Sequence, residues 1–239
     1  GQTWSEPAKI TDSVKRPDWG WYATGPGHGI QMSSGRLIIP CDHRVGKERY
    51  SYSHVIYSDD AGQTWKIGGS SELKTNECTA VELSDGRLML NMRSYFGRNR
   101  RAVATSRDGG QTWSKVAHDE ALIEPVCEAS ILRYARPGEK KPPGPILFSN
   151  PASTSRNHLT VRLSDDDAQT WTAARELWAG AAAYSELAVT ADGEIICLYE
   201  RGEDSPYEKI VLARFPLSWL EEGKNADANN LGNNNAGDR

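Results

Sequence analysis

At 239 residues the chain is long enough to bury a large core, and one all-β domain of this length is routine. A net charge of −4 argues against nucleic acid as the main partner. No apolar run reaches the ~18 residues that a membrane-crossing helix needs. Cys41, Cys78, Cys127 and Cys197 form no C-x-x-C pair and have no metal-ligand spacing, so buried free thiols are expected.

The chain opens on Gly1-Gln2-Thr3-Trp4, the second half of a box S-x-D-x-G-x-T-W that recurs downstream. Intact copies run from Ser58 to Trp65 and from Ser106 to Trp113, and a worn copy runs from Ser164 to Trp171. The half-box predicts that the chain begins inside a repeat whose earlier part is missing. Each full copy reads as a tight turn. Asp60 and Asp108 are expected to fold their carboxylates onto N–H groups two residues on. Gly62 and Gly110 supply a positive φ, and the tryptophan closes the turn as an apolar plug. In the worn copy Ala168 replaces glycine, so φ there is either negative or strained.

Between the boxes, apolar runs alternate with turn signals. In chain order, Ser34-Gly35 feeds a strand at 35–40, and 53–57 is a strand leading into the first intact box. Asp85-Gly86 feeds a strand at 86–92, and 102–105 leads into the second box. Strands follow at 130–134, 145–148 and 159–163, with Pro137 to Gly144 a polar loop between the first two. Asp192-Gly193 feeds 194–199, a last strand covers 210–215, and Leu217 to Leu220 is a short helical cap. D-G hairpins alternating with box turns at ~50-residue intervals, with almost no helical period, predict an all-β β-propeller. One domain spans 1–221. From 222 to 239 the composition collapses to Asn, Ala, Asp and Gly, a polar tail that cannot order itself.

Four segments place residues at strand ends that a core would not choose. Asn76-Glu77-Cys78 begins a strand with an acid, and Asn91-Met92-Arg93-Ser94 ends the next with an arginine. Arg156, in Thr154-Ser155-Arg156-Asn157-His158, precedes a strand, and Ala183-Tyr184-Ser185-Glu186 puts a tyrosine and an acid at another. Strand ends on one face of a propeller converge on its axis, so these side chains are expected to share a pocket. His28, Asp42 and His43 read as structural hydrogen-bonders beside it. Each residue also has a plainer reading: Tyr184 packing on a strand, Glu77 and Arg93 as a structural ion pair, Arg156 at the surface.

These segments resemble the bacterial-type sialidase (neuraminidase) family with Asp-box repeats, from about residue 1 to 220. Asn76-Glu77-Cys78 and Asn91-Met92-Arg93-Ser94 are similar to the family's base-glutamate and arginine strands. Tyr184-Ser185 with Asp192-Gly193 and Leu198-Tyr199-Glu200 resembles its nucleophile segment, and Gly25-Pro26-Gly27-His28-Gly29-Ile30 is similar to a family segment too. The resemblance implies a six-bladed propeller, here incomplete at its start, and release of terminal sialic acids from glycoproteins, glycolipids or oligosaccharides. It implies Tyr184 as nucleophile, Glu77 as its base, Arg93 and Arg156 as two of three arginines gripping the substrate carboxylate, and Glu200 as the support of the first arginine. That first arginine and the acid/base aspartate have no counterpart in this chain, which therefore is expected to be inactive alone. No metal or organic cofactor is implied, and a secreted or periplasmic location is favoured by the resemblance. The alternative is a non-catalytic Asp-box propeller that binds sialoglycans or a protein partner.

Overall fold

The computed structural model describes residues 2–135 and 144–223. Most of the expected loop at 137–144 and of the tail from 222 lies outside these residues. After a short helix α1 (Thr11–Val14), five strands form the first antiparallel sheet: β1 (Trp19–Thr24), β2 (Ile30–Gln31), β3 (Leu37–Val45), β4 (Tyr52–Ser58) and β5 (Lys66–Leu73). The second sheet is a meander of β6 (Thr75–Glu82), β7 (Leu88–Ser94), β8 (Arg100–Ser106) and β9 (Ala117–Ile123). The third continues through β10 (Ser130–Arg133), β11 (Ile146–Pro151), β12 (Asn157–Ser164), β13 (Ala173–Val189), β14 (Ile195–Arg201) and β15 (Lys209–Phe215). Helix α2 (Leu217–Glu221) closes the described chain.

β13 is 17 residues long and serves two blades. Its first half, from Ala173 to Ala181, pairs with β12, and its second half, from Ala182, pairs with β14. Four meander units of a β-propeller result, as the repeat spacing predicts. The D-G and S-G hairpins form at the expected places, with φ of +91° at Gly35, +82° at Gly86 and +86° at Gly193.

Apolar layers fill the space between neighbouring units. Ile38, Val55, Leu88, Leu90 and Met92 pack between the first two. Val81, Met89, Ile131, Ile146 and Phe148 join the second to the third, and Leu147, Leu159, Leu187, Ile195 and Cys197 fill the last layer. Each such side chain, removed from water, contributes about 1.5–3 kcal/mol. All four cysteines are free and buried, as their apolar neighbours predict.

The boxes form the expected turns by a different bonding pattern. The Asp108 carboxylate accepts the N–H groups of Gln111 and Thr112, each at 2.9 Å, and the hydroxyls of Ser106 and Thr112. Its reach is three and four residues forward, not two. Two consecutive left-handed residues fold the chain back over the carboxylate: Ala61 and Gly62, Gly109 and Gly110, Asp167 and Ala168. Ala168 has φ of +60°, so the worn box keeps the turn and accepts the strain. Trp65, Trp113 and Trp171 are partly buried, but Trp4 is 87% exposed and plugs nothing.

Box turns also join neighbouring units. Arg36 of the first sheet donates from Nη1 to the carbonyls of Asp108 and Gly109, and Trp113 Nε1 donates to the Gly69 carbonyl at 2.8 Å. A Cβ at Gly110 would lie 2.7 Å from Val55 Cγ2, so glycine there also permits close approach of the units.

Burial raises the Asp108 carboxyl pKa, but hydrogen bonds from Thr112, Ser106 and Gln111 outweigh it and hold the group at about 2. Its stabilisation is therefore complete above the unfolded value of ~3.9 and is lost as pH falls toward 2. Asp108→Ala is expected to cost about 1–2 kcal/mol, the scale of a lost capping side chain, and to lower Tm by a few degrees near neutrality. The gap from wild type should close between pH ~4 and ~2; a gap independent of pH would reject this role.

Candidate active site

The sequence-predicted residues gather at three irregularities of pairing. Between β6 and β7 the ladder runs from Thr75↔Ser94 to Cys78↔Met92, so Asn76 and Glu77 together face Arg93. Between β13 and β14 it runs from Ala182↔Arg201 to Ser185↔Tyr199, so Ala183 and Tyr184 face Glu200. Between β12 and β13 the register shifts again beside Arg156, after Asn157↔Ala181. An extra residue on one strand bends it and re-aims its side chains. The two-residue alternation that would have alternated Glu77 and Tyr184 between faces is broken where they meet.

The Tyr184 hydroxyl donates to Glu77 Oε1 at 2.5 Å. Arg93 Nη1 donates both to Glu77 Oε2 at 2.6 Å and to Tyr184 Oη at 3.1 Å. The Arg93 and Glu77 side chains are only 14% and 19% exposed, so each charge depends on the other for compensation. Glu200 Oε2 accepts the Tyr184 peptide N–H at 3.1 Å, a donor that the irregular ladder leaves free. The Arg156 guanidinium lies 5.7 Å from the centre of the Tyr184 ring and donates to Tyr207 Oη at 2.5 Å and to the Val126 carbonyl at 3.4 Å.

Burial pushes the Tyr184 phenol well above its ordinary pKa, and the hydrogen bond to Glu77 and that carboxylate's charge push it further, against a smaller opposing pull from Arg93. The phenol is therefore protonated at neutral pH, and its proton is directed at Glu77 Oε1. Burial works against the Arg93 charge, but Glu77 more than offsets it and raises its pKa. A cavity of about 530 Å³ opens over Glu77 and Tyr184, bounded also by Tyr95, Asp42, Trp21 and Arg49, and neither Arg93 nor Arg156 lines it. A larger one, about 910 Å³, includes neither Tyr184 nor Glu77.

His28, Asp42 and His43 hydrogen-bond as expected. His28 Nδ1 pairs with Glu186 at 2.6 Å, Asp42 accepts Trp21 Nε1 at 2.9 Å, and His43 Nδ1 lies 3.1 Å from His54 Nδ1. Burial raises the Asp42 carboxyl to about 6 and lowers the His43 imidazole to about 4. Sequence reasoning missed Tyr207, the Arg156 partner, and Glu128, a buried acid behind Tyr184. The signal for the second was present, since Glu128 is an acid inside the otherwise apolar run from Pro125 to Ala129. Among the described residues, no group of three or more His, Cys, Asp or Glu could hold a metal ion, and no helix is long and apolar enough to cross a membrane.

The chain matches the BNR repeat-like domain family over residues 1–197. It is 37% identical over 228 residues to a sialidase of Micromonospora viridifaciens, covering 92% of this chain and 34% of that protein. It is also 37% identical over 179 residues to a sialidase of Bacteroides fragilis, covering 74% of this chain and 32% of that protein. Among solved structures, a Hadza microbial sialidase superposes with a TM-score of 0.81 at 36% identity, over 92% of this chain and 42% of that one. The intramolecular trans-sialidase of Ruminococcus gnavus superposes at 0.77 with 26% identity, over 92% of this chain and 49% of that one. The chain thus spans about a third of these curated relatives, and with its repeats, its propeller units and these likenesses it belongs to the BNR-repeat sialidase family.

Proposed function

We propose that the protein carrying this chain is an exo-α-sialidase that releases terminal sialic acids from glycoconjugates with retention of configuration. The observation that carries the reading is the hydrogen bond from Tyr184 Oη to Glu77 at 2.5 Å, with Arg93 bridging both groups. A phenol donating to a carboxylate beside a guanidinium is the arrangement an activated nucleophile requires. The relatives named sialidases support the substrate class.

In this reading Glu77 takes the phenolic proton as Tyr184 Oη attacks the anomeric carbon. The glycosidic C–O bond breaks, and the aglycone oxygen leaves with a proton from the acid/base aspartate that the family resemblance implies. A neutral nucleophile suits this centre, because the sugar's own carboxylate repels an anionic one, and tyrosine-using sialidases depart from the usual two-carboxylate pattern for glycosidases. Water then gives a proton to that aspartate and attacks the same carbon, the Tyr184–carbon bond breaks, and Glu77 returns the other proton to the phenolate. Arg93 and Arg156 hold the substrate carboxylate through charge-assisted bonds in a fixed plane, which lysine would not reproduce. Arg93 bonds Glu77 and Tyr184 through Nη1 and would offer Nη2 to the substrate. Arg156 would exchange its contact with Tyr207 for the substrate. Glu200 holds the Tyr184 peptide here, and its family role as support of the first arginine would use its other oxygen.

The acid/base aspartate and first clamp arginine have no assigned counterpart among residues 1–239, so this stretch alone is expected to turn over little or no sialoside. In the full-length protein, Glu77→Gln should lower kcat on a fluorogenic aryl sialoside by on the order of 10²–10⁴, and Tyr184→Phe by at least as much. Full activity in Tyr184→Phe would reject the nucleophile, and appreciable turnover by residues 1–239 would show that the acid/base has been misplaced.

A further inference from the structure

The segment crossing from β9 to β10 bonds Arg156 and the residues that follow Arg93 and Tyr184, yet the chemistry above gives it no task. At its start Glu124, with no exposure, accepts the Ser94 N–H at 2.8 Å, one residue beyond Arg93. Its other oxygen accepts Arg101 Nη1 at 3.0 Å and the Cys127 N–H at 3.2 Å. Arg101 is equally buried and donates further to Asn91 Oδ1 at 2.7 Å and the Cys127 carbonyl at 2.6 Å. The pair ties the segment to Ser94, Asn91 and Cys127, although Arg101 Nη2 has no partner among the described residues, and either charge left alone would be costly.

In the middle of the segment Val126 has φ of +54°. A β-branched residue takes that conformation only where its surroundings impose it, and the Val126 carbonyl is the one that Arg156 approaches. At the far end Glu128, 4% exposed, accepts the Ser185 N–H at 3.1 Å, one residue beyond Tyr184. Burial pushes its carboxyl up to about 8, opposed by the Ser185 hydrogen bond and reinforced by the Glu186 charge. A carboxyl is an expensive way to satisfy one peptide N–H, which an ordinary ladder carbonyl does without such a desolvation cost.

Successive peptide N–H groups at the nucleophile are thus each held by a carboxyl oxygen from a different element: Tyr184 by Glu200 on β14, Ser185 by Glu128 on the crossing segment. We propose that Glu128 is a positioning residue for Tyr184, clamping its backbone opposite Glu200 and fixing the depth of the phenol against Glu77 and Arg93. The Arg101–Glu124 pair anchors the same segment to the strand end that carries Arg93. The inference rests on Tyr184 being the nucleophile.

The test is made in the full-length protein with an aryl sialoside and with an unsaturated sialic acid analogue as a binding probe. Glu128→Leu keeps the volume and removes the acceptor. It should lower kcat by on the order of 10–100-fold, as small misplacements of a reacting group do, while KM and affinity for the analogue change less than about threefold. Glu128→Gln, whose amide oxygen can accept the same N–H, should restore most of the lost kcat. The proposal is overturned if Glu128→Leu keeps wild-type kcat, if Glu128→Gln loses as much as Glu128→Leu, or if analogue binding falls in step with kcat. Should Glu128→Leu not fold, Glu128→Ala is read in its place against the same limits. Tyr184→Phe separates the two levels: if it stays active, the nucleophile assignment itself has failed. If it is inactive and Glu128→Leu is not impaired, only the positioning role is lost.

Discussion

A phenol, a carboxylate and a guanidinium in mutual contact form the interaction on which this site depends. Tyr184 and Glu77 lie 107 residues apart in the chain, and Tyr184 and Arg93 lie 91 apart, so local structure cannot bring them together. Both charged partners are mostly buried, where an ion pair lacking a good partner would be a net cost. The contact is tolerable because Arg93 bonds Glu77 and Tyr184 at once and the phenol satisfies the remaining carboxylate oxygen. The same arrangement is the one that the proposed proton transfer from Tyr184 to Glu77 would use.

That contact is transmitted from turns and irregular pairings rather than from the site itself. Each box carboxylate organises a turn, and the turn reaches across to the neighbouring unit through Arg36, Gly69 and Trp113. Apolar layers then fix the angle between units. Where strands approach the pocket, the ladder skips a residue at Glu77 and again at Tyr184. Those skips release polar groups from the sheet and turn them toward the cavity. The Tyr184 N–H so freed is recovered by Glu200, while Ser185, which stays paired with Tyr199, gives its N–H to Glu128. Backbone satisfaction and functional placement are thereby one problem with one solution.

Much of this was legible in the residues. D-G hairpins, alternating apolar runs and repeated boxes located most of the strands, because period-two burial and positive-φ glycine leave direct marks in a sequence, but β1, β2, β5 and β9 were not anticipated. Glu77, Arg93 and Tyr184 stood out as polar residues at strand ends, where a core gives no reason for them. The box bonding was misjudged because two consecutive left-handed residues carry the carboxylate past the second N–H to the third and fourth. Trp4 was expected as a plug but lies exposed. The register shifts, the Arg156–Tyr207 contact and the grip of Glu128 on Ser185 were not legible. Each depends on which residue of one strand faces which of another, and pairing partners leave no local signature.

The central claim is tested most directly by trapping the reaction at its covalent stage. Incubating the full-length protein with a 2,3-difluorinated sialic acid and sequencing the digested peptides by mass spectrometry reads out the residue that bonds to the sugar. The account predicts one adduct of fluorosialyl mass on the Tyr184 side chain. An adduct on any other residue, or none in a preparation that still turns over sialosides, would contradict it.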